Sequence, residues 1–284
     1  MKPPRSSLRV SLPPEGTVSA FGRPGATETQ FSRRRLLTGL LSGAGTAVLA
    51  GCDRLVQNED IVAGLRHTER LTMASQRLLL GRDALAREYS EADLSPVFRA
   101  NGTQRPESED YARLLEGGFA DWRLQIDGLV WHPLSLSLGD LKQFASRTQI
   151  TRHDCVEGWS AIGKWQGVPL GRLLDLAGLK PGARYVVFHC ADELEKTLDG
   201  SGRYYESIDL IDAYRPQTIL AYGMNGKDLP VAHGAPLRLR VENQLGYKQA
   251  KYLMRLEIVS TFQELLGGKG GYWEDRGYEW YAGI

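Results

Sequence analysis

Cysteine is scarce in this 284-residue chain: there are three, and none lies in a CxxC or CxxCH string. That spacing argues against a structural zinc site, an iron–sulfur cluster and c-type haem held by this chain. No apolar run reaches the ~18–20 residues a bilayer span needs, so a polytopic membrane protein is excluded. Net charge is also small, +1 over the whole chain, and gives no reason to expect nucleic acid. There is no internal repeat, and no low-complexity tract beyond the first 51 residues. With 42% hydrophobic and 24% charged residues, the composition is that of an ordinary globular protein of one or two domains.

The charge that is present is unevenly placed. Residues 1–51 take seven of the 35 Lys and Arg and two of the 34 Asp and Glu, a net of +5. The remaining 233 residues then carry 28 positive and 32 negative charges, a net of −4. A basic front rich in Pro, Gly and Ser on a mildly acidic body reads as a leader on a domain. Ser32-Arg33-Arg34-Arg35-Leu36-Leu37 precedes a 15-residue apolar stretch, Leu36 to Ala50, broken by three glycines. That length suits a signal peptide better than a stable span, and the string resembles a twin-arginine signal, whose machinery exports folded proteins. Folded export fits a protein that receives a cofactor in the cytoplasm. Leu49-Ala50-Gly51-Cys52 resembles a bacterial lipobox, which makes Cys52 the lipidated first residue of the mature chain. The expected location is periplasmic, with a lipid anchor to the inner membrane.

Beyond the leader, Ile61, Leu65, Thr68, Leu71, Ala74 and Leu78 recur at steps of three or four, the apolar face of a packing helix. Leu94 to Glu109 has no period and reads as a loop. From Trp122 the pattern turns to strands. Trp122, Leu124 and Ile126 alternate before an Asp127-Gly128 turn, as do Leu134, Leu136 and Leu138. Val168 to Leu179 has helical spacing, and Tyr185 to Cys190 is a buried strand. Leu237, Leu239 and Val241 alternate, and so do Met254, Leu256 and Ile258. The predicted class is α+β, strand-rich mixed sheets with short helices between them. The expected segments are the leader (1–51), an N-terminal helix with an extended segment (52–120) and a catalytic domain (121–284).

With Cys52 lipidated, Cys155 and Cys190 remain. Two cysteines in an exported protein suggest one disulfide; the alternative is that one is a ligand or nucleophile. Cys155 lies in Thr151-Arg-His-Asp-Cys-Val-Glu-Gly-Trp-Ser160. Arg152 and His153 favour its thiolate, whereas Asp154 and Glu157 oppose it.

Cys155-Val-Glu-Gly-Trp-Ser, followed by Trp165-x-Gly-Val-Pro-Leu-x-x-Leu-Leu174, resembles the core of the sulfite oxidase family of molybdenum enzymes, in the motif order of its sulfoxide-reducing members. Tyr222-Gly-Met-Asn-Gly226, His233-Gly-Ala-Pro-Leu-Arg238 and Gly246-Tyr-Lys248 continue the resemblance, which runs from about Phe98 to Glu257. It implies a molybdopterin-binding fold and oxygen-atom transfer at a molybdenum ligated by Cys155, a soft thiolate donor. The expected direction is reduction of a sulfoxide-type substrate; oxidation of sulfite or another oxyanion is the alternative, as is a non-catalytic exported domain with a Cys155–Cys190 disulfide.

The same resemblance places Arg238, and Gly246, Tyr247 and Lys248, against the pterin and its phosphate, with His233 and Cys190 as further cofactor contacts. Phe98-Arg99-Ala-Asn101 is similar to a family segment that approaches the cofactor, which makes Arg99 and Asn101 contacts. Arg99 then either holds an anionic substrate or forms a surface salt bridge. His153, two residues before Cys155 and on the same face of a strand, either lines the pocket or bonds to backbone. His189 reads as a packed or capping histidine. Tyr204-Tyr205-Glu206-Ser207 resembles a segment near the substrate; Tyr205 is a catalytic candidate beside Arg99 and His153, with core packing as the alternative. Asp192-Glu193 reads as a solvated loop. The aromatic tail, Gly270 to Tyr281, reads as a strap closing the pocket rim or a docking surface for a redox partner. About 27 residues follow Glu257, too few for the immunoglobulin-like dimerisation domain of sulfite oxidases. The expectation is therefore a monomer that exchanges electrons with a separate haem protein or quinone-linked membrane subunit.

Overall fold

The structure, a computed structural model, describes residues 58–81, 84–198 and 200–284. The leader and Cys52 lie outside the described residues. Of a leading unit, residues 1–62, only the first turn of a helix is described; the rest of the molecule is a compact unit, Ala63–Ile284.

In chain order the elements are α1 (Glu59–Leu80), α2 (Glu109–Glu116), β1 (Leu124–Gly128), β2 (Leu134–Leu136), α3 (Leu138–Gln143), β3 (Arg147–Asp154) and β4 (Ser160–Pro169). There follow α4 (Leu170–Ala177), β5 (Tyr185–Glu193), β6 (Arg203–Asp209), α5 (Leu210–Ala213), β7 (Ile219–Met224), β8 (Lys227–Asp228), β9 (Arg238–Arg240) and β10 (Leu253–Val259). The strands form two sheets. One has the order β2-β1-β10-β5-β6, the other β3-β4-β7-β8 with β9 also on β7. Only β1 and β10 pair in parallel; the other pairs are antiparallel. The predicted α+β class is the observed one, and the apolar sides of both sheets share one core. Ile126, Phe188 and Leu256 of the first sheet meet Val168, Leu220 and Leu239 of the second there, with Leu170, Leu173, Leu174 and Ala177 of α4.

Local chemistry sets the boundaries. Ser137 caps α3 in a reciprocal box with Asp140, so Leu138 opens a helix instead of prolonging β2. Val168 and Pro169 still belong to β4, and α4 begins only at Leu170. Asp127 and Gly128 are the last residues of β1, not a turn. Gly128 has φ 87°, and a Cβ there would lie 2.3 Å from the Ile258 carbonyl oxygen. A register shift between Leu253 and Arg255 breaks the alternation in β10, so Leu253, Leu256 and Ile258 are buried while Met254 is half-buried.

The predicted face of α1 is corrected. The helix forms, but Thr68, Leu71, Ala74 and Leu78 face out. Its inner side is mostly polar: the Tyr281 amide donates to Glu69 Oε1 (2.9 Å), Gln76 donates to the Gly283 carbonyl (3.3 Å), and Arg77 pairs with Asp209 (2.7 Å).

Candidate active site

The hairpin joining β3 to β4 turns at Cys155-Val-Glu-Gly158. The Cys155 amide donates to the Trp159 carbonyl (2.9 Å), the Gly158 amide donates to the Cys155 carbonyl (3.0 Å), and Gly158 takes φ 84°. The turn sets the Cys155 side chain in the wall of a cleft of about 810 Å³ that opens to solvent. Asn101, from the loop before α2, donates its Nδ2 to Cys155 Sγ at 3.7 Å. Lys251 fixes that loop by donating to the carbonyls of Asn101 (2.8 Å), Ala232 (3.2 Å) and Thr103. Gly246, Tyr247 and Gln249 complete one side, Asp192, Leu194 and Tyr204 another. Trp273 and Tyr278 of the tail close the rim; their rings stack at 5.2 Å, and Tyr247 meets Tyr278 edge-on at 5.3 Å.

Three expected site residues line this cleft with Cys155: Asn101, Gly246 and Tyr247. Gly246 is obligatory, since a Cβ would lie 2.6 Å from His153 Nε2. His153 therefore stands behind Gly246, buried, with Nδ1 3.1 Å from Arg240 Nη1 and no partner for Nε2. Burial, with the charges of Arg240 and Arg238, holds its pKa well below the usual histidine range. Arg238 is buried too. It donates to the carbonyls of His233 (3.0 Å) and Gln249 (3.2 Å), its Nε has no partner, and burial with the charge of Arg240 pushes it down. His233 is half-buried against Phe98, and burial with Arg238 and Lys251 lowers it to about 4.

Other expected residues lie elsewhere. Lys248 does not line the cleft; its ammonium is fully buried between Glu206 (2.5 Å) and Glu274 (2.6 Å). Tyr205 points to the opposite side of β6 and donates to Asp275 Oδ2 (2.5 Å), so strand parity puts Tyr204 in the cleft instead. Arg99 is exposed, outside the cleft, and forms no ion pair among the described residues. Cys190 is packed in the core, 4.0 Å from the Phe188 carbonyl, and burial pushes its thiol far up. Cys155 and Cys190 are both free, which removes the disulfide alternative. Asp192 is not in a solvated loop. It is buried in β5 and raised by burial against the opposing charge of Lys251; only Glu193 faces out, paired with Arg203. His189 pairs with Glu257 at 2.9 Å.

The sequence reasoning passed over Tyr204, Asp192, Gln249 and Lys251. Lys251 has a spacing signal, three residues after Lys248 in Gly246-x-Lys-x-x-Lys. The burial of Asp192 has no local signal.

A molybdenum–molybdopterin group can be tested against this architecture. Among the described residues no three His, Cys, Asp or Glu side chains converge on one point. A metal at Cys155 therefore needs its other ligands from a cofactor. Buried polar atoms without partners surround the cleft: Asp192 Oδ1, Gln249 Oε1, Arg238 Nε and His153 Nε2. Such atoms are costly unless a ligand satisfies them. Burial with the charge of Arg240 lowers Arg238, and burial with the charge of Arg238 lowers Lys251, an arrangement that an anionic group relieves. Burial raises the Cys155 thiol, so a bound metal is what would displace its proton. The residues fit the group.

A strand-rich scaffold with one cleft cysteine, unsatisfied polar atoms and nearby buried cations defines a protein that binds an anionic cofactor at a thiol. Residues 114–264 match the family described as oxidoreductase molybdopterin binding domain, and the chain belongs to that family. It is a molybdopterin oxidoreductase, with molybdopterin-bound molybdenum as its cofactor. It is 36% identical to a protein of Azospira oryzae named as a protein-methionine-sulfoxide reductase subunit, YedZ1, over 89% of this chain and 88% of that one. It is 35% identical to the protein-methionine-sulfoxide reductase catalytic subunit MsrP of Xanthomonas axonopodis, over 59% of this chain and 53% of that protein. The crystal structure of the sulfane dehydrogenase SoxCD of Paracoccus pantotrophus aligns with a TM-score of 0.44 and 28% identity, over 50% of this chain and 39% of that one.

Proposed function

We propose that the chain reduces sulfoxides, with methionine sulfoxide in peptides or proteins as the substrate class. The observation that carries this is the cleft wall. Tyr204, Tyr247, Trp273, Tyr278 and Leu194 present aromatic and apolar surface, and no arginine is among the lining residues. The one lining cation, Lys251, is committed to three backbone carbonyls. A neutral sulfoxide on a thioether suits such a wall, whereas an oxyanion calls for paired guanidinium groups. The names of the relatives point the same way.

Net reduction breaks the sulfur–oxygen bond; two electrons and two protons yield the thioether and water. The cofactor, when bound, supplies the two-electron oxygen transfer. Cys155 would hold its metal and Asn101 would orient the Sγ. Lys251 would keep the Asn101 loop in place, and the aromatic rim would exclude water and seat the thioether. Asp192, raised by burial to about 6, would hold a proton at its carboxyl beside the cleft in mildly acidic solution. Arg238, His153 and His233, beneath the cleft, would meet the polar edge and phosphate of the pterin. Cys52 is read as a lipid anchor after twin-arginine export, which places the catalytic unit at the periplasmic face of a membrane. Electrons would then come from a separate haem or quinone-linked membrane subunit.

The test is the molybdenum-loaded enzyme with a reduced viologen as donor. Oxidation of the dye by methionine-sulfoxide peptides, and none by sulfite in the reverse assay with ferricyanide, is the expected result. Sulfite oxidation with no sulfoxide turnover overturns it.

A further inference from the structure

α1 lies on the catalytic unit by its polar side, which leaves its leucines in water. Leu71, Leu78 and Leu79 are 68%, 84% and 83% exposed. Leu71 and Leu78 are seven residues apart, so they point within about 20° of each other, roughly 10 Å apart along the axis. Between them the exposed positions are Thr72, Ala74 and Ser75, none of them charged. One bare leucine needs no explanation, but an uncharged row on a long helix does, because a helix facing only water fills such positions with charge.

The sequence supplies the occupant. Cys52 lies seven residues before Glu59, and a chain of that length reaches no more than about 25 Å. With a lipid on Cys52, α1 never leaves the neighbourhood of a bilayer. We propose that the outward row of α1, Leu71 with Leu78 and Leu79, rests in the interfacial layer of that membrane. The domain is then held at two points, by the lipid and by the helix. This rests on the lipid-anchor reading of Cys52. The diacylglyceryl group of a lipobox cysteine is by itself enough to hold the chain on the bilayer, so what the helix adds is a second point of contact. Two points of attachment also limit how the domain can turn on the membrane, which a lipid on a flexible tether does not.

The test uses the exported full chain, molybdenum-loaded, in vesicles of phosphatidylethanolamine and phosphatidylglycerol. Nitroxides are attached in Leu71→Cys, Leu78→Cys and, as a water-facing control, Lys196→Cys. Mass spectrometry reads the state of Cys52 beforehand. The expected result is that dissolved oxygen relaxes the nitroxides at 71 and 78 several-fold more than a water-soluble nickel chelate does, with the reverse at 196. Vesicle-bound protein in which 71 and 78 behave like 196 overturns the docking while leaving the lipid anchor intact. Dipolar broadening between labels also overturns it, since a second copy then covers the row. Lipid-facing labels on a chain with unmodified Cys52 uphold the docking and remove the anchor. Unmodified Cys52 with no vesicle binding overturns both.

Discussion

Replacing Cys155 removes the one protein sulfur in the cleft. Cys155→Ser is expected to drop molybdenum from about one per chain to a small fraction of that by elemental analysis, because a hydroxyl neither ionises readily nor offers a soft donor. Tyr204→Phe removes the hydroxyl that donates to the Tyr247 carbonyl and ties two walls of the cleft together; it is expected to lower sulfoxide kcat/KM by about tenfold through lost positioning. Tyr205→Phe breaks its bond to Asp275 and should leave kcat/KM near wild type while costing about 1 kcal/mol in urea unfolding. His233 carries a pH signature. It is lowered to about 4 in the fold, so between its unfolded pKa near 6.5 and that value the unfolded chain binds the extra proton. Stability from this group is complete above pH 6.5 and is lost as pH falls toward 4. Because the ring is only half-buried, solvent screening reduces the effect to on the order of 1–2 kcal/mol. His233→Asn should flatten the fall in urea midpoint between pH 6.5 and 4 by that amount.

Among the elements, the buried cluster of Lys248 with Glu206 of β6 and Glu274 of the tail ties the strap to the sheet. Lys248→Met leaves two buried carboxylates facing each other and is expected to cost about 3–5 kcal/mol in urea unfolding. Adding Glu206→Gln should recover part of that loss, by removing one of the stranded charges. The cluster shows where sequence reading stops. A glycine, tyrosine and lysine in series resemble a phosphate cradle, yet the partners that bury Lys248 lie 42 and 26 residues away. Cys155 and Asn101 were legible, because their motifs encode a local turn and a loop. Tyr204 was missed by one step of strand parity, and Asp192 because an acidic pair carries no sign of being half inside a sheet. The face of α1 was misassigned for a related reason. Its leucines have the period of a core helix, but distant partners, Asp209 and the backbone of the last four residues, draw in Glu69, Gln76 and Arg77. Period reports which residues share a face; only tertiary pairing reports which way that face points.

Across the whole molecule, the cleft concentrates costs that the fold alone leaves unanswered: four unpartnered polar atoms and a set of cations pressed together under the β3–β4 hairpin. Other buried polar atoms without partners lie on Gln76, Arg77, Trp165, Glu206 and Glu274, away from the cleft lining, and one continuous core runs under both sheets. Cofactor affinity should therefore appear directly as folding stability, since a ligand bound only by the native state stabilises it by mass action. At a cofactor concentration of a thousand times Kd the gain is about 4 kcal/mol. For a unit of this size each kcal/mol moves Tm by about 2–4 °C. Molybdenum-loaded protein is thus expected to melt about 10 °C above protein made without molybdopterin, by scanning calorimetry at pH 7. The gain should shrink in Arg238→Gln, which removes a cation and its orphaned Nε together. In that variant the cofactor-free protein should be no less stable than wild-type cofactor-free protein, because the lost charge was opposed by Arg240. A variant that destabilised both forms equally would instead make Arg238 a packing residue over Trp165, whose ring centroid lies 5.0 Å from its guanidinium.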